Sequence, residues 1–130
     1  SVSGLLLDSQ VLLWFAGDES RLSKKALAAL LDRKNELWLS IASIWELSIK
    51  LSIEKLRLQE DLETLIEKQI SNNRLQILTI SLAHTYAVQK MPFHHRDPFD
   101  RILVAQAQIE NLKLVSRDEV FDAYGVKRIW

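Results

Sequence analysis

Apolar residues in this chain fall into short unbroken runs that alternate with stretches at helical spacing. Leu5, Leu6 and Leu7 form the first run and stop at Asp8, which predicts a buried strand ending in a polar residue. "SQVLLWFAGD" then predicts a helix closed near Gly17. Ser23 is placed as N-cap of a second helix, "KKALAALLDRK", with Asn35 near its end. "LWLS" is a short β-prone run. Ile44, Leu47 and Leu51 repeat at helical spacing in "SIWELSIKLSIEKL", and "EDLETLIEKQIS" is a further amphipathic helix. The strand "LQILTI", the helix "SLAHTYAVQKM" stopping before Pro92, and the helical stretch "HHRDPFDRILVAQA" follow. The strand "KLVS", a helical turn "DEVFDAYG" and a last β segment "VKRIW" complete the chain.

Strands therefore alternate with helices, and the strands are continuously apolar rather than alternating. That combination predicts an α/β fold, a parallel sheet covered by helices on both faces. Neither repeats nor linkers interrupt the 130 residues, so one domain is expected across 1–130. The amino end "SVSG" lacks an initiator Met and reads as a processing or cloning remnant over residues 1–4. Ligands of such sheets sit beyond the carboxyl ends of the strands, where the strand order reverses. Asp8 follows the first strand and Asp118 lies just past "KLVS", which places both at that edge.

Composition narrows the chemistry. Apolar residues make up 48% and charged ones 26%, ordinary for a globular protein and wrong for a disordered one. The absence of cysteine excludes disulfides, zinc–thiolate centres and cysteine nucleophiles, and suits a reducing cytoplasm. No run is long enough to span a bilayer and no signal peptide is visible, so no membrane association is expected. Seventeen basic residues balance seventeen acidic ones; nucleic-acid binding would have to be local.

Two aspartates in one turn, Asp97 and Asp100, raise the main question. Asp97 is well placed as an N-cap with Pro98 at the first helical position. Asp100 falls where a carboxylate can reach back in a capping box, although Glu or Gln is usual there. Phe99, Ile102, Leu103, Val104 and Ala105 cover so much of this helix that a lone charge at its edge calls for a cationic partner. Glu46, between Trp45 and Leu47, either pairs with Lys50 across one helical turn or joins the same site. Should Asp8, Glu46, Asp100 and Asp118 converge, their repulsion calls for a cation, and Mg²⁺ or Mn²⁺ is the natural oxygen-binding choice. Metal-assisted phosphodiester hydrolysis is the chemistry such a site implies. Neither a GxGxxG nor a Walker A motif is present. His84, His94 and His95 suggest metal-independent acid–base cleavage of RNA only weakly, and a surface role is the simpler expectation. Ser9, Ser43 and Ser116 lack a nucleophile-elbow context and are expected at most to support other groups.

"LLLDSQVLLW", "SIASIWELSIKLSIEKL", "HHRDPFDRILVAQA" and "LVSRDEVFDAYGVKRIW" together resemble a PIN-domain protein of the VapC toxin type. The resemblance runs in order along nearly the whole chain, and "HRDPFDRILVAQA" is its most specific part. It implies a Rossmann-like three-layer α/β/α fold with a central parallel sheet. It also implies a Mg²⁺- or Mn²⁺-dependent endoribonuclease, cytoplasmic, acting on RNA as the toxin of a type II toxin–antitoxin pair. The family's four acids map onto Asp8, Glu46, Asp100 and Asp118, with Ser116 assisting the last; a cognate antitoxin and a homodimer are its implied partners. Lys50, Arg96, Arg101 and Arg117 lie close in sequence to these acids and are the expected phosphate contacts. The competing reading is a non-catalytic protein-binding module on the same fold.

Overall fold

The computed structural model describes residues 3–130. Of the four residues expected to be a remnant, Ser3 and Gly4 are paired strand residues, and residues 1 and 2 lie outside the described part. Five strands, β1 (Ser3–Leu7), β2 (Asn35–Ser40), β3 (Gln76–Leu78), β4 (Lys113–Val115) and β5 (Arg128–Ile129), form one sheet in the order β3-β2-β1-β4-β5. Every pairing is parallel. The chain thus builds outward from β1 to β2 and β3, then returns to place β4 on the other flank of β1. The reversal falls between β1 and β4, where the rule for open α/β sheets puts the ligand.

Continuous apolar strands are needed because both faces are covered. Leu5 and Leu7 of β1 face one core and Leu6 faces the other, following the two-residue period of a strand. The first core is closed by side chains from α1 (Ser9–Gly17), α2 (Lys24–Leu31), α3 (Ile41–Ser52) and α4 (Leu62–Asn73). The second is closed by α6 (Pro98–Ile109) and by Phe121 of a 3₁₀ segment, Glu119–Tyr124, while α5 (Leu82–Lys90) packs on α6. The three-layer parallel fold expected from the sequence is therefore the observed one.

Each α-helix begins at a side chain that accepts a backbone N–H: Asp8, Ser23, Ser40, Asp61, Ser81 and Asp97. One boundary differs from expectation. The second helix stops at Leu31, and Asn35 opens β2 instead of ending the helix. Asp32 accepts the Lys34 N–H at 3.0 Å, so a tight turn replaces the last helical turn.

Candidate active site

Asp8 serves two elements at once. Its backbone N–H donates to the Val115 carbonyl at 3.2 Å, tying β1 to β4, and its carboxylate accepts the Val11 N–H at 2.8 Å to cap α1. Burial is the main reason its carboxyl is held above the ordinary range. The Ser116 hydroxyl and the Val11 amide oppose that shift, and the charges of Glu46 and Asp118 add to it. Ser116 is fully buried beside β4, and its Oγ accepts the Asp118 N–H at 3.1 Å. Asp118 caps the 3₁₀ segment through Val120 N–H at 3.0 Å. Asp8, Ser116 and Asp118 thus meet where β1 and β4 end.

Glu46 enters from α3. Ser9 Oγ donates to Glu46 Oε1 at 2.7 Å, and Lys50 Nζ stands 3.8 Å from the other oxygen. The i,i+4 pair considered from the sequence does form. It does not bring Glu46 into open solvent, since the glutamate side chain is only 17% exposed.

Asp100 enters from α6, and the two aspartates of its first turn take different partners. Asp97 accepts the N–H groups of Phe99 and Asp100 at 2.8 and 3.2 Å, so it is the N-cap. Asp100 Oδ2 does not close a capping box; it lies 2.8 Å from His95 Nε2. Burial pushes the Asp100 carboxyl up to about 6 against the pull of that hydrogen bond, and the charges of Asp97 and Glu46 act in the same upward direction. Glu46 is therefore the electrostatic link between the Asp8 side of the cleft and the Asp100 side. Four carboxylates offer an all-oxygen donor set, which suits a hard divalent cation. Among the described residues, only His95, Asp97 and Asp100 bring three ligand atoms within 4.8 Å of one another; of the four predicted ligands Asp100 alone is in that group, and Asp8, Glu46 and Asp118 stand outside it.

Several sequence expectations change. The histidines are not simple surface groups. His95 holds Asp100, and His84 is 2% exposed, with Nδ1 accepting the Ser81 N–H at 3.0 Å and Nε2 standing 2.9 Å from Glu110. Only His94 is exposed, edge-on to Tyr124. Arg101, expected at the substrate, is 6% exposed and turned inward. Its guanidinium donates to the carbonyls of Val88, Pro92 and His95 and to Tyr124 Oη at 3.0–3.4 Å, with Phe93 stacked 4.5 Å away. It braces the segment carrying His95. Arg96 and Arg117 are exposed, and Lys50 is exposed beside Glu46.

Sequence reasoning gave no role to Arg128. It donates to the Ser116 carbonyl at 3.1 Å and pairs with Asp122 at 2.8 Å, fixing the end of β4. A basic residue on an edge strand carries no local signal for this; only the pairing of β5 with β4 reveals it.

The fold and this acidic cleft define a class of protein, and comparison with known proteins agrees. The family model described as PIN domain matches residues 5–127, so the chain belongs to the PIN domain family. Solved structures with the same fold include VapBC2 from Rickettsia felis bound to a DNA fragment from their promoter, at TM-score 0.70 and 16% identity over 96% of both chains. VapBC-1 from nontypeable Haemophilus influenzae gives TM-score 0.62 and 15% identity over 96% of both chains. FitAcB from Neisseria gonorrhoeae gives 0.59 and 17% over 95% of both chains. Among curated proteins no sequence matches this chain. No helix of the described residues is long and apolar enough to cross a membrane.

Proposed function

We propose that this protein is a Mg²⁺- or Mn²⁺-dependent endoribonuclease, the toxin of a type II toxin–antitoxin pair. The observation that carries the reading is the electrostatic strain of the cleft. Asp8 and Asp100 are both pushed upward by burial, and both feel the charge of Glu46. Partly buried acids that repel one another call for a cation between them, which supports a site that holds one. Asp8, Glu46, Asp100 and Asp118 are the residues to hold it. Held by these carboxylates, a divalent ion would supply Lewis-acid activation of the phosphodiester and of water.

The chain's own residues do the rest. Ser9 orients Glu46, His95 orients Asp100, and Ser116 sets the Asp118 backbone through direct hydrogen bonds. Exposed Arg96 and Arg117, with Lys50, are suited to backbone phosphates, which position RNA without choosing its sequence.

A toxin must be restrained, and α3 supports a protein partner. Ile41, Trp45, Ile49 and Ile53 recur every four residues and are 37–59% exposed, forming an apolar row beside Glu46. An antitoxin covering this row and placing a cationic side chain among Asp8, Asp100 and Asp118 would stand in for the ion; a second copy of the chain is the other expected partner. The same fold in the VapBC2, VapBC-1 and FitAcB structures supports this reading. Brief expression in a bacterial host followed by sequencing of RNA ends tests it. New ends at defined sites, suppressed by co-expression of the neighbouring gene, are expected. Harmless expression with no new ends would remove the toxin reading.

A further inference from the structure

Beside the acids, α1 and the end of β4 enclose a cleft of about 520 Å³ lined by Asp8, Gln10, Trp14, Arg117, Asp118 and Glu119. The carboxylates Asp8 and Asp118 already have a place in the proposed site. Arg117 is there an expected phosphate contact, but Gln10 and Trp14 have no place in it, and their chemistry is not that of an ion site. Gln10 and Trp14 are four residues apart on α1 and so share one helix face. Trp14 is braced by Trp130, with ring centroids 5.9 Å apart and planes tilted by 46°. The indole is thus held in place while still lining the cleft. Arg117 is exposed and makes no ion pair among the described residues.

An aromatic face, an amide with both donor and acceptor, and a guanidinium are the three groups that recognise one nucleotide. The base stacks on the ring, its edge meets the amide, and the fork meets the phosphate. Trp14 lies six residues beyond the N-cap Asp8, a rise of about 9 Å along α1. A base inside a duplex has both faces covered by its stacked neighbours, so only an unpaired, splayed-out base can lie against Trp14.

We propose that this cleft takes the base of an unpaired nucleotide flanking the scissile phosphate. Trp14 provides the stacking face, Gln10 meets the base edge and Arg117 meets the backbone. The assignment rests on the nuclease reading for its substrate.

Tryptophan fluorescence of the full chain tests it, with a short unstructured oligoribonucleotide and a matched RNA duplex as probes. Ca²⁺ replaces Mn²⁺, and gel analysis verifies that the probes stay intact. The unpaired probe should quench the emission of the parent chain and of Trp38→Phe, whose indole lies beside Gly4 at the opposite end of the sheet, clearly more than that of Trp14→Phe, in which Trp45 and Trp130 are the reporters left near the site. Trp14→Leu, which keeps apolar volume without a ring, should weaken binding roughly 5- to 150-fold, the scale of one lost base–aromatic stack. Melting curves verify that each variant folds; if Trp14→Leu does not, the quench in Trp14→Phe decides. Equal quenching in Trp14→Phe, or equal affinity for duplex and unpaired probe, overturns the proposal and leaves the cleft to a protein segment. Quenching that depends on Trp14 without any cleavage in Mn²⁺ would instead sink the nuclease reading and leave the base site standing.

Discussion

Trp45 meets Phe99 edge-on, with ring centroids 5.2 Å apart. Each ring is adjacent in sequence to an acid of the cleft, Glu46 on α3 and Asp100 on α6. The contact therefore sets the spacing between two carboxylates that come from different helices. Aromatic pairs of this geometry contribute about 0.5–1.5 kcal/mol beyond area burial.

Phe99→Ala should lower stability by about 1–3 kcal/mol, less than a fully buried Phe because Phe99 is only partly covered. Its more specific effect should be a smaller rise in melting temperature on adding Mn²⁺, since the carboxylates are no longer held at one spacing. A melt shift in Mn²⁺ equal to that of the parent chain would show that the ring pair does not position the acids.

The raised Asp100 carboxyl makes a pH prediction for the metal-free protein. Its value is about 6 when folded and 3.8 in the unconstrained chain. Because the folded value is the higher one, the folded state binds more protons between the two. The stabilisation is complete below pH ~4 and is lost as pH rises through about 6, by roughly 2–3 kcal/mol from this group. Asp8 is shifted in the same direction and adds to the loss. Chemical denaturation in chelator across pH 4–8 reads this directly, and Asp100→Asn should flatten the profile. Mn²⁺ competes with the proton for the same oxygens, so its apparent affinity should climb over the same window.

The paired aspartates of α6 should respond differently to substitution. Asp97→Ala removes a cap and should cost about 0.5–2 kcal/mol while leaving Mn²⁺-dependent cleavage measurable. Asp100→Asn removes a charge from the crowded cleft, so metal-free stability should hold or rise while cleavage collapses. Melting temperature without metal and RNA cleavage with Mn²⁺ separate the two. Normal cleavage by Asp100→Asn alongside a folded but inactive Asp97→Ala would reverse their roles.

The sheet was legible in the sequence because Leu5, Leu6 and Leu7 form an apolar run that only a strand buried on both faces tolerates. The positions of Asp8 and Asp118 followed from the same reasoning, since both lie just past strands at the reversal point. Arg101 was not legible. An arginine next to an acidic residue looks the same in sequence whether it faces solvent or folds inward. Its inward turn depends on the carbonyls of Val88, Pro92 and His95 converging on one guanidinium, a non-local arrangement. The hold of His95 on Asp100 escaped for a related reason: the turn at Asp97 and Pro98 swings His95 back over the helix it precedes.

Arg101 should accordingly behave as a brace rather than a substrate ligand. Arg101→Ala removes four hydrogen bonds, leaving the Pro92 carbonyl without a donor while Val88 and His95 keep the Met91 N–H and the Tyr124 hydroxyl, and should cost about 2–4 kcal/mol. Arg101→Lys should recover only part of this, because an ammonium cannot reproduce the planar fork. At temperatures where the variants stay folded, the salt dependence of RNA binding should match that of the parent chain. Arg117→Ala should instead reduce that dependence, since it removes a phosphate contact.

Cleavage of RNA by the purified chain, with Mn²⁺, with chelator, and with Asp8→Asn in Mn²⁺, tests the central claim most directly. The account predicts discrete fragments with Mn²⁺, none with chelator, and none or nearly none from the folded Asp8→Asn variant. Cleavage that persists in chelator, or that Asp8→Asn retains in full, would contradict a metal-dependent site built on these acids and return attention to the histidines.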